Sequence, residues 1–181
     1  MSLARVRTRA QLGLDAPAVT VEVHLSPGLP GLAIVGLPEA AVRESKDRVR
    51  SALINSGFEF PQRRITINLA PADLPKFGGR FDLPIALGIL AANGQIPLSA
   101  LDRAEFMGEL ALSGELCTIP GVLPASLAAR DAGHRLFVPL GNAAEAARPQ
   151  GAEVYGGDQL LAIVANLASI SIDKAQVHEE L

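Results

Sequence analysis

A loop between two apolar segments holds the residues whose types and spacing are best suited to chemistry. Residues 71–92 read PADLPKFGGRFDLPIALGILAA, so that Lys76 and Arg80 flank the pair Gly78 and Gly79. Backbone amides at the start of a helix attract anions, and glycines let a ligand approach the backbone closely. Two cations in such a loop predict an anion site, either for catalysis or for contact with phosphate. Asp82 is predicted to be a helix-starting acid that balances the helix dipole.

The elements on either side of the loop must position it. RRITINL at 63–69 alternates apolar and polar residues, which predicts a half-buried strand, and 82–92 predicts an apolar helix. Upstream, 19–25 and 32–35 predict strands that form a hairpin-like pair, and a single helix is predicted from Pro38 to the glycine stop at Gly57. Further predicted elements are strands at 4–9, 135–139 and 153–155, a hairpin around Ser113-Gly114, and helices at 121–133, 142–147 and 157–167. This order predicts an α+β domain with a mixed sheet and flanking helices.

Composition limits the class of protein. A chain of 181 residues with 49% hydrophobic residues is long enough for one domain with a real core. The longest apolar run, Leu83 to Ala92, is far too short to cross a bilayer, and the start MSLARVRTRA lacks the apolar core of a signal peptide. A single cysteine, Cys117, excludes an internal disulfide. These features predict a cytoplasmic protein without a membrane partner.

The net charge of −3 conceals a basic middle segment. Residues 43–80 hold eight cations against four acids, whereas residues 81–181 hold five cations against twelve acids. Seven of the eight cations are candidates for contact with phosphate, and they are Arg43, Lys46, Arg50, Arg63, Arg64, Lys76 and Arg80. On the predicted helix, the pairs Glu39–Arg43 and Glu44–Arg48 have the i,i+4 spacing of solvated ion pairs. Lys46 and Arg50 lack such a partner and are free to meet phosphate or a neighbouring subunit.

Common catalytic and cofactor motifs are missing. The dipeptide Gly-Lys appears nowhere, so the chain has no Walker A loop, and neither HExxH nor GxSxG occurs. The cysteine and the three histidines do not have the spacing of a zinc site. The sequence therefore predicts a chain without a metal or cofactor of its own.

Two long stretches carry a resemblance to a known family. They are VEVHLSPGLPGLAIVGLPEAAVRESKDRVRSALINSGFEFP at 21–61 and RITINLAPADLPKFGGRFDLPIALGIL at 64–90. Both resemble the N-terminal domain of the ComM/YifB family of magnesium-chelatase-like AAA+ proteins, and the resemblance extends over about residues 3–167. It implies a domain at 1–167 and a polar tail at 168–181 that leads to an ATPase module, where ATP and Mg²⁺ are expected. Because the ComM branch consists of hexameric DNA helicases that act in branch migration during natural transformation, the resemblance implies self-assembly and a DNA partner.

The same domain is similar in fold to the proteolytic domain of Lon, a ribosomal S5 domain 2-like fold, which uses a serine and a lysine. GELALSGELCTIPGVLPASLAARDAG at 108–133 follows the Lon lysine pattern glycine for glycine, but Leu123 stands in the lysine's place. The stretch that resembles Lon's serine loop, residues 75–82, contains no serine. An apolar side chain cannot act as a base, so the chain is predicted to be non-catalytic.

Two interpretations of the loop cations stay open. The similar domain of RadA/Sms, a DNA-recombination ATPase, implies a ring-forming DNA scaffold in which Lys76, Arg80 and the other cations contact phosphate. In the other interpretation, Lys76 and Arg80 only order the loop by bonding carbonyls, Asp73 or Asp82. A pure oligomerisation module without DNA contact is the alternative function.

Overall fold

A seven-stranded mixed sheet forms the centre of the fold in this computed structural model, which describes residues 2–168. The strand order is β3-β4-β2-β1-β5-β8-β9. β2 pairs antiparallel with β1 and β4, and the other neighbours in the sheet are parallel. A separate antiparallel hairpin consists of β6 and β7. The strands are β1 Leu3–Arg9, β2 Ala18–Ser26, β3 Gly31–Val35, β4 Arg64–Ala70, β5 Ala104–Phe106, β6 Glu109–Leu110, β7 Leu116–Cys117, β8 Arg135–Pro139 and β9 Val154–Gly157.

Alternation along β2 and β4 determines which face of the sheet is buried. Val21 lies opposite Leu69 and Val23 opposite Ile67 in the antiparallel register, and all four side chains are buried. Their polar neighbours in sequence point to the other face, because successive side chains of a strand alternate in direction. The predicted exposure of His24 on that polar face is confirmed.

Helices flank the sheet on both of its faces. They are α1 Ala40–Arg43, α2 Ser45–Asn55, α3 Asp82–Ala92, α4 Val122–Asp131 and α5 Leu140–Ala146, with a 3₁₀ turn at Leu98–Leu101 and helical residues 160–168. α3 is buried from Asp82 to Ala91, which explains why it is apolar on every side. A Cβ atom added to Gly88 would lie 2.5 Å from Val23 Cγ2, so this glycine allows α3 to approach β2 closely.

A second, smaller core lies between β8 and the helices α4 and α5. Met107, Val122 and Val138 are among its buried members. Beside it, the rings of Phe106, Phe137 and Tyr155 form a stacked row, with centroids 4.9 Å and 5.0 Å apart. The row joins β5, β8 and β9 and stabilises the parallel edge of the sheet.

The predicted α+β class, with a mixed sheet and flanking helices, is confirmed, but two local predictions were wrong. β3 does not form a hairpin with β2; it pairs in parallel with β4, which lies between them. The loop from β2 to β3 contains Pro27 and Pro30, which lack the N–H groups that a ladder beside a turn requires. The helix predicted from Pro38 to Gly57 is interrupted at Glu44, which separates α1 from α2.

The predicted tail at 168–181 falls almost wholly outside the described residues, so the domain boundary stays a prediction. Within residues 2–168, no helix combines the length and the apolar character needed to cross a membrane.

Candidate functional site

Lys76 lies at the centre of the loop between β4 and α3 and has no exposed surface. Its Nζ donates hydrogen bonds to the carbonyls of Gly36, at 2.6 Å, and of Pro71. Burial lowers the pKa of Lys76, and the charge of Asp73 opposes this shift. The ammonium group therefore ties the loop to the chain that follows β3. This geometry favours the interpretation in which Lys76 orders the loop by bonding carbonyls, because a buried ammonium cannot reach a phosphate in solvent.

Arg80 is also buried, with 5% of its surface exposed. Its guanidinium donates to the carbonyl of Pro120 at 3.3 Å and to the sulfur of Met107 at 3.5 Å. Burial lowers the pKa of Arg80 to about 10, so the group keeps its charge at neutral pH. The expected partner Asp82 bonds to other residues, and the contact with Pro120 favours an ordering role for Arg80 as well.

Asp82 forms a buried network that the sequence did not predict. Its carboxylate accepts from Arg48 Nε at 2.7 Å and Arg48 Nη2 at 3.1 Å, from the Ser45 hydroxyl and, at 3.0 Å, from the Leu110 amide. Burial raises the pKa of Asp82, and the bonds from Arg48, Ser45 and Leu110 oppose the rise. The Asp82 carboxylate in turn raises the pKa of Arg48. The network fixes α2, α3 and the β6–β7 hairpin to one another.

A weak signal for this network exists in the sequence. Asp82 begins a helix that is otherwise wholly apolar, so its carboxylate must be buried and needs a cation. Arg48 adjoins the buried stripe that contains Val49 on α2. The predicted i,i+4 pair of Arg48 with Glu44 is present at 3.6 Å, but the closer partner is Asp82.

The two stretches that resemble Lon's serine loop and lysine pattern, residues 75–82 and 108–133, lie next to each other in the fold. The Arg80 carbonyl accepts from Gly108 N at 3.0 Å, and Phe77 to Arg80 share one pocket with Thr118 to Pro120. Leu123, at the predicted lysine position, is half-buried in the first turn of α4. The two stretches are thus neighbours here, although residues 75–82 hold no serine and residues 108–133 hold no lysine.

The other candidate cations lie at the surface. Lys46 and Arg50 are exposed on α2, and together with Phe60 they line a groove of about 290 Å³, which we call the basic groove. The Arg50 guanidinium carbon lies 5.7 Å from the centroid of the Phe60 ring. Gln62 and Asp47 are also part of the lining. The aromatic ring was not among the predicted site residues, although its position shortly before Arg63 and Arg64 could have suggested it.

The remaining three candidates, Arg43, Arg63 and Arg64, do not line the groove. Arg43 is exposed on α1, and its Nε donates to the Pro38 carbonyl at 3.4 Å; the predicted Glu39–Arg43 ion pair is not formed, because Glu39 accepts from Gly78 N. Arg63 is half-buried and donates to the Ser2 hydroxyl at 3.1 Å. Arg64 is exposed at the start of β4, on the face opposite the buried side chains. The structure therefore brings Lys46 and Arg50 together and separates them from Lys76 and Arg80.

Comparisons with known proteins show which family of proteins the chain belongs to. A family model described as subunit ChlI of Mg-chelatase matches residues 21–142. The competence protein ComM of Haemophilus influenzae is 55% identical over 164 residues, which cover 91% of this chain and 32% of that protein. YifB of Salmonella typhimurium is 59% identical over 145 residues, covering 80% of this chain and 29% of that protein. YifB of Escherichia coli is 53% identical over 167 residues, covering 92% and 33% respectively.

The chain therefore belongs to the ComM/YifB family of magnesium-chelatase-like proteins. It spans about a third of the length of these curated relatives.

Proposed function

We propose that this chain is the non-catalytic N-terminal domain of a hexameric AAA+ DNA helicase that drives branch migration in natural transformation and recombination. In this proposal the domain helps to assemble the ring and engages DNA in the cytoplasm. ATP and Mg²⁺ would be bound by an ATPase module that is not part of this chain. Support comes from family membership and from the name of the Haemophilus relative, a competence protein.

The basic groove is the observation that carries the DNA-binding part of the proposal. Its two exposed cations, Lys46 and Arg50, supply charge for the phosphate backbone. Phe60, in the same lining, offers a ring on which an unpaired base could stack. A cationic groove with an aromatic platform suits single-stranded DNA better than a duplex, whose bases are already stacked. We therefore assign single strands and the arms of forked DNA to this surface.

The non-catalytic part of the proposal rests on the pocket where the two Lon-like stretches meet. Residues 75–82 hold no serine, and Leu123 offers no proton acceptor. The buried side chains Lys76 and Asp82 nearby already have structural partners, since Lys76 bonds carbonyls and Asp82 bonds Arg48. Incubation with casein and fluorogenic peptides should give no cleavage. Cleavage that a substitution in the pocket abolishes would overturn this part.

Fluorescence anisotropy with labelled single-stranded and forked DNA at low salt tests the DNA-binding part. The variant Lys46→Glu/Arg50→Glu should bind at least about tenfold more weakly, because two phosphate contacts become repulsive. The control Arg7→Glu/Arg148→Glu makes the same charge change at two exposed arginines outside the groove, and it should bind much as the wild type does.

Absence of binding by the wild-type chain at low salt would contradict DNA engagement by this domain. An equal loss in the control variant would contradict the groove as its location. The first result would leave the alternative function, an oligomerisation module without DNA contact. Leu14 and Leu29, which are 91% and 88% exposed, favour that alternative as apolar contacts between subunits. Sedimentation of the wild type and of Leu14→Ser/Leu29→Ser would then test self-association.

A further inference from the structure

A second pocket, of about 260 Å³, lies between the loop that precedes α3 and the segment that follows β7. Phe77 and Arg80 contribute one side, and Thr118, Ile119 and Pro120 contribute the other. The volume is slightly below the usual range for drug-sized ligands, about 300–1,000 Å³, and suits a smaller molecule. The pocket shares no lining residue with the basic groove, so what it binds is independent of the proposed DNA contact.

Arg80 is the unusual member of this lining. The buried carboxylates Glu105 and Asp82 each have an arginine partner, at 2.6 Å and 2.7 Å. Arg80, by contrast, has no carboxylate within 4.0 Å among residues 2–168. Its Nε finds no hydrogen-bond partner in the same part of the chain. A free donor on a buried guanidinium is unfavourable, and an anion bound in the pocket would satisfy it.

The geometry of the Arg80 guanidinium determines which ligand group would bind in the pocket. Its planar donors match the oxygens of a carboxylate or a phosphate and pair with them through two parallel bonds. At neutral pH Arg80 keeps its charge, since burial lowers its pKa only to about 10. The site therefore selects an oxyanion.

The other lining residues limit the chemical class of the ligand further. Phe77 is 56% exposed although it is aromatic, and with Ile119 and Pro120 it gives the pocket an apolar wall. Glu109 also lines the pocket, close to Gly79, where an added Cβ would lie 2.4 Å from Glu109 Oε1. A fixed carboxylate in the lining opposes a second negative charge on the ligand.

We propose that this pocket binds a small organic monoanion, with its oxyanion group on Arg80 and its apolar part against Phe77 and Pro120. Benzoate is the simplest probe of this class. Acetate lacks the apolar part, phenyl phosphate replaces the carboxylate, and benzylamine reverses the charge. Comparing these four ligands distinguishes a carboxylate site from a phosphate site and either one from a site for aromatic rings alone.

Titration of the ¹⁵N-labelled chain, followed by its amide and arginine Nε signals, tests the proposal at constant ionic strength. Benzoate should shift the signals of Gly78, Gly79, Thr118 and Arg80 Nε in a saturable manner. Its dissociation constant should be lower than that of acetate. Tighter binding of phenyl phosphate, which is largely a dianion at neutral pH, would contradict the preference for a monoanion. Equal binding of benzylamine, or shifts spread over the whole surface, would overturn the proposal.

Two variants separate the pocket from general effects of charge. Arg80→Lys should weaken benzoate binding at least about tenfold, since lysine lacks the two-pronged geometry. Arg135→Lys is the matched control, because Arg135 is also buried with an unpartnered nitrogen but does not line the pocket. Equal weakening in both variants would contradict the proposal. If Arg80→Lys does not fold, the variant Phe77→Ala tests the proposal instead. It should remove the preference for benzoate over acetate, because Phe77 forms the apolar wall. An unchanged preference would refute the proposed orientation of the ligand.

Discussion

Replacing Asp82 with alanine should destabilise the domain by about 3 kcal/mol. The Asp82 side chain is fully buried, and it accepts two bonds from Arg48, at 2.7 Å and 3.1 Å, one from Ser45 and one from the Leu110 amide. Removing it leaves a guanidinium, a hydroxyl and a buried amide without their acceptor. Breaking a buried ion pair costs about 3–5 kcal/mol, and the 20% exposure of Arg48 lets water compensate in part. We therefore expect the lower end of the range.

Urea unfolding followed by far-UV circular dichroism is the appropriate assay, because the chain has no tryptophan to report by fluorescence. Arg5→Ala is the control. It breaks the Arg5–Glu22 pair, whose length of 3.1 Å is similar but whose arginine side chain is 64% exposed. Surface pairs of this kind contribute about 0–1 kcal/mol. The two variants thus compare the same chemistry in a buried and in a solvated setting.

A double variant tests whether Arg48 and Asp82 stabilise each other. Arg48→Met/Asp82→Ala should lose less stability than the sum of its single changes, because no unpaired charge is left behind. A cost for Asp82→Ala no larger than that of Arg5→Ala would refute the role assigned to the network. Additivity in the double variant would show that Arg48 and Asp82 do not act on each other.

Two further predictions concern the segment before α1 and the loop that it contacts. Gly36→Ala should cost at least about 2 kcal/mol, because Gly36 has a φ of +107° and a Cβ there would lie 2.2 Å from the Leu69 carbonyl oxygen. Gly28→Ala, at a φ of +134° with open space around it, should cost less in the same urea assay, and equal costs would contradict the steric argument. Because burial lowers the pKa of Lys76, the folded chain releases this proton at a lower pH than the unfolded chain does. The unfolding free energy of the wild type should therefore rise relative to that of Lys76→Met as the pH increases toward the ordinary lysine pKa of about 10.4, and a constant difference would refute this.

Regular elements were predictable from the sequence where the local pattern and the tertiary environment agree. α3 was predicted with both of its ends, Asp82 and Ala92, because its apolar run is continuous and begins after a glycine-rich loop. The strict alternation of β2 and β4 likewise follows from one buried and one open face. These elements needed no knowledge of their partners in space.

The pairing of elements distant in sequence was not predictable. β3 joins β4 across the whole of α1 and α2. Pro27 and Pro30 argue locally against a hairpin with β2, but no local pattern indicates that β4 is the partner of β3. The inward orientation of Arg48 is a similar case. Its spacing from Glu44 fits a surface pair, yet its nearest carboxylate belongs to Asp82, 34 residues later in the chain. Periodicity records which residues are apolar, whereas ion pairs depend on which helices become neighbours.

The basic middle segment contains two sets of cations, one inward and one exposed. This division determines how strongly the proposed DNA binding should depend on salt concentration. Arg48, Lys76 and Arg80 point inward and bond to protein groups, whereas Lys46, Arg50, Arg43 and Arg64 are exposed. On a single strand, the logarithm of the binding constant falls with that of the salt concentration by about 0.7 per phosphate contacted. All seven candidates together would give a slope near −5, whereas the groove pair alone gives about −1.4. Adding the exposed Arg43 and Arg64 brings the slope to about −2.8, and the half-buried Arg63 brings it to about −3.5. A steeper value would require cations other than these five.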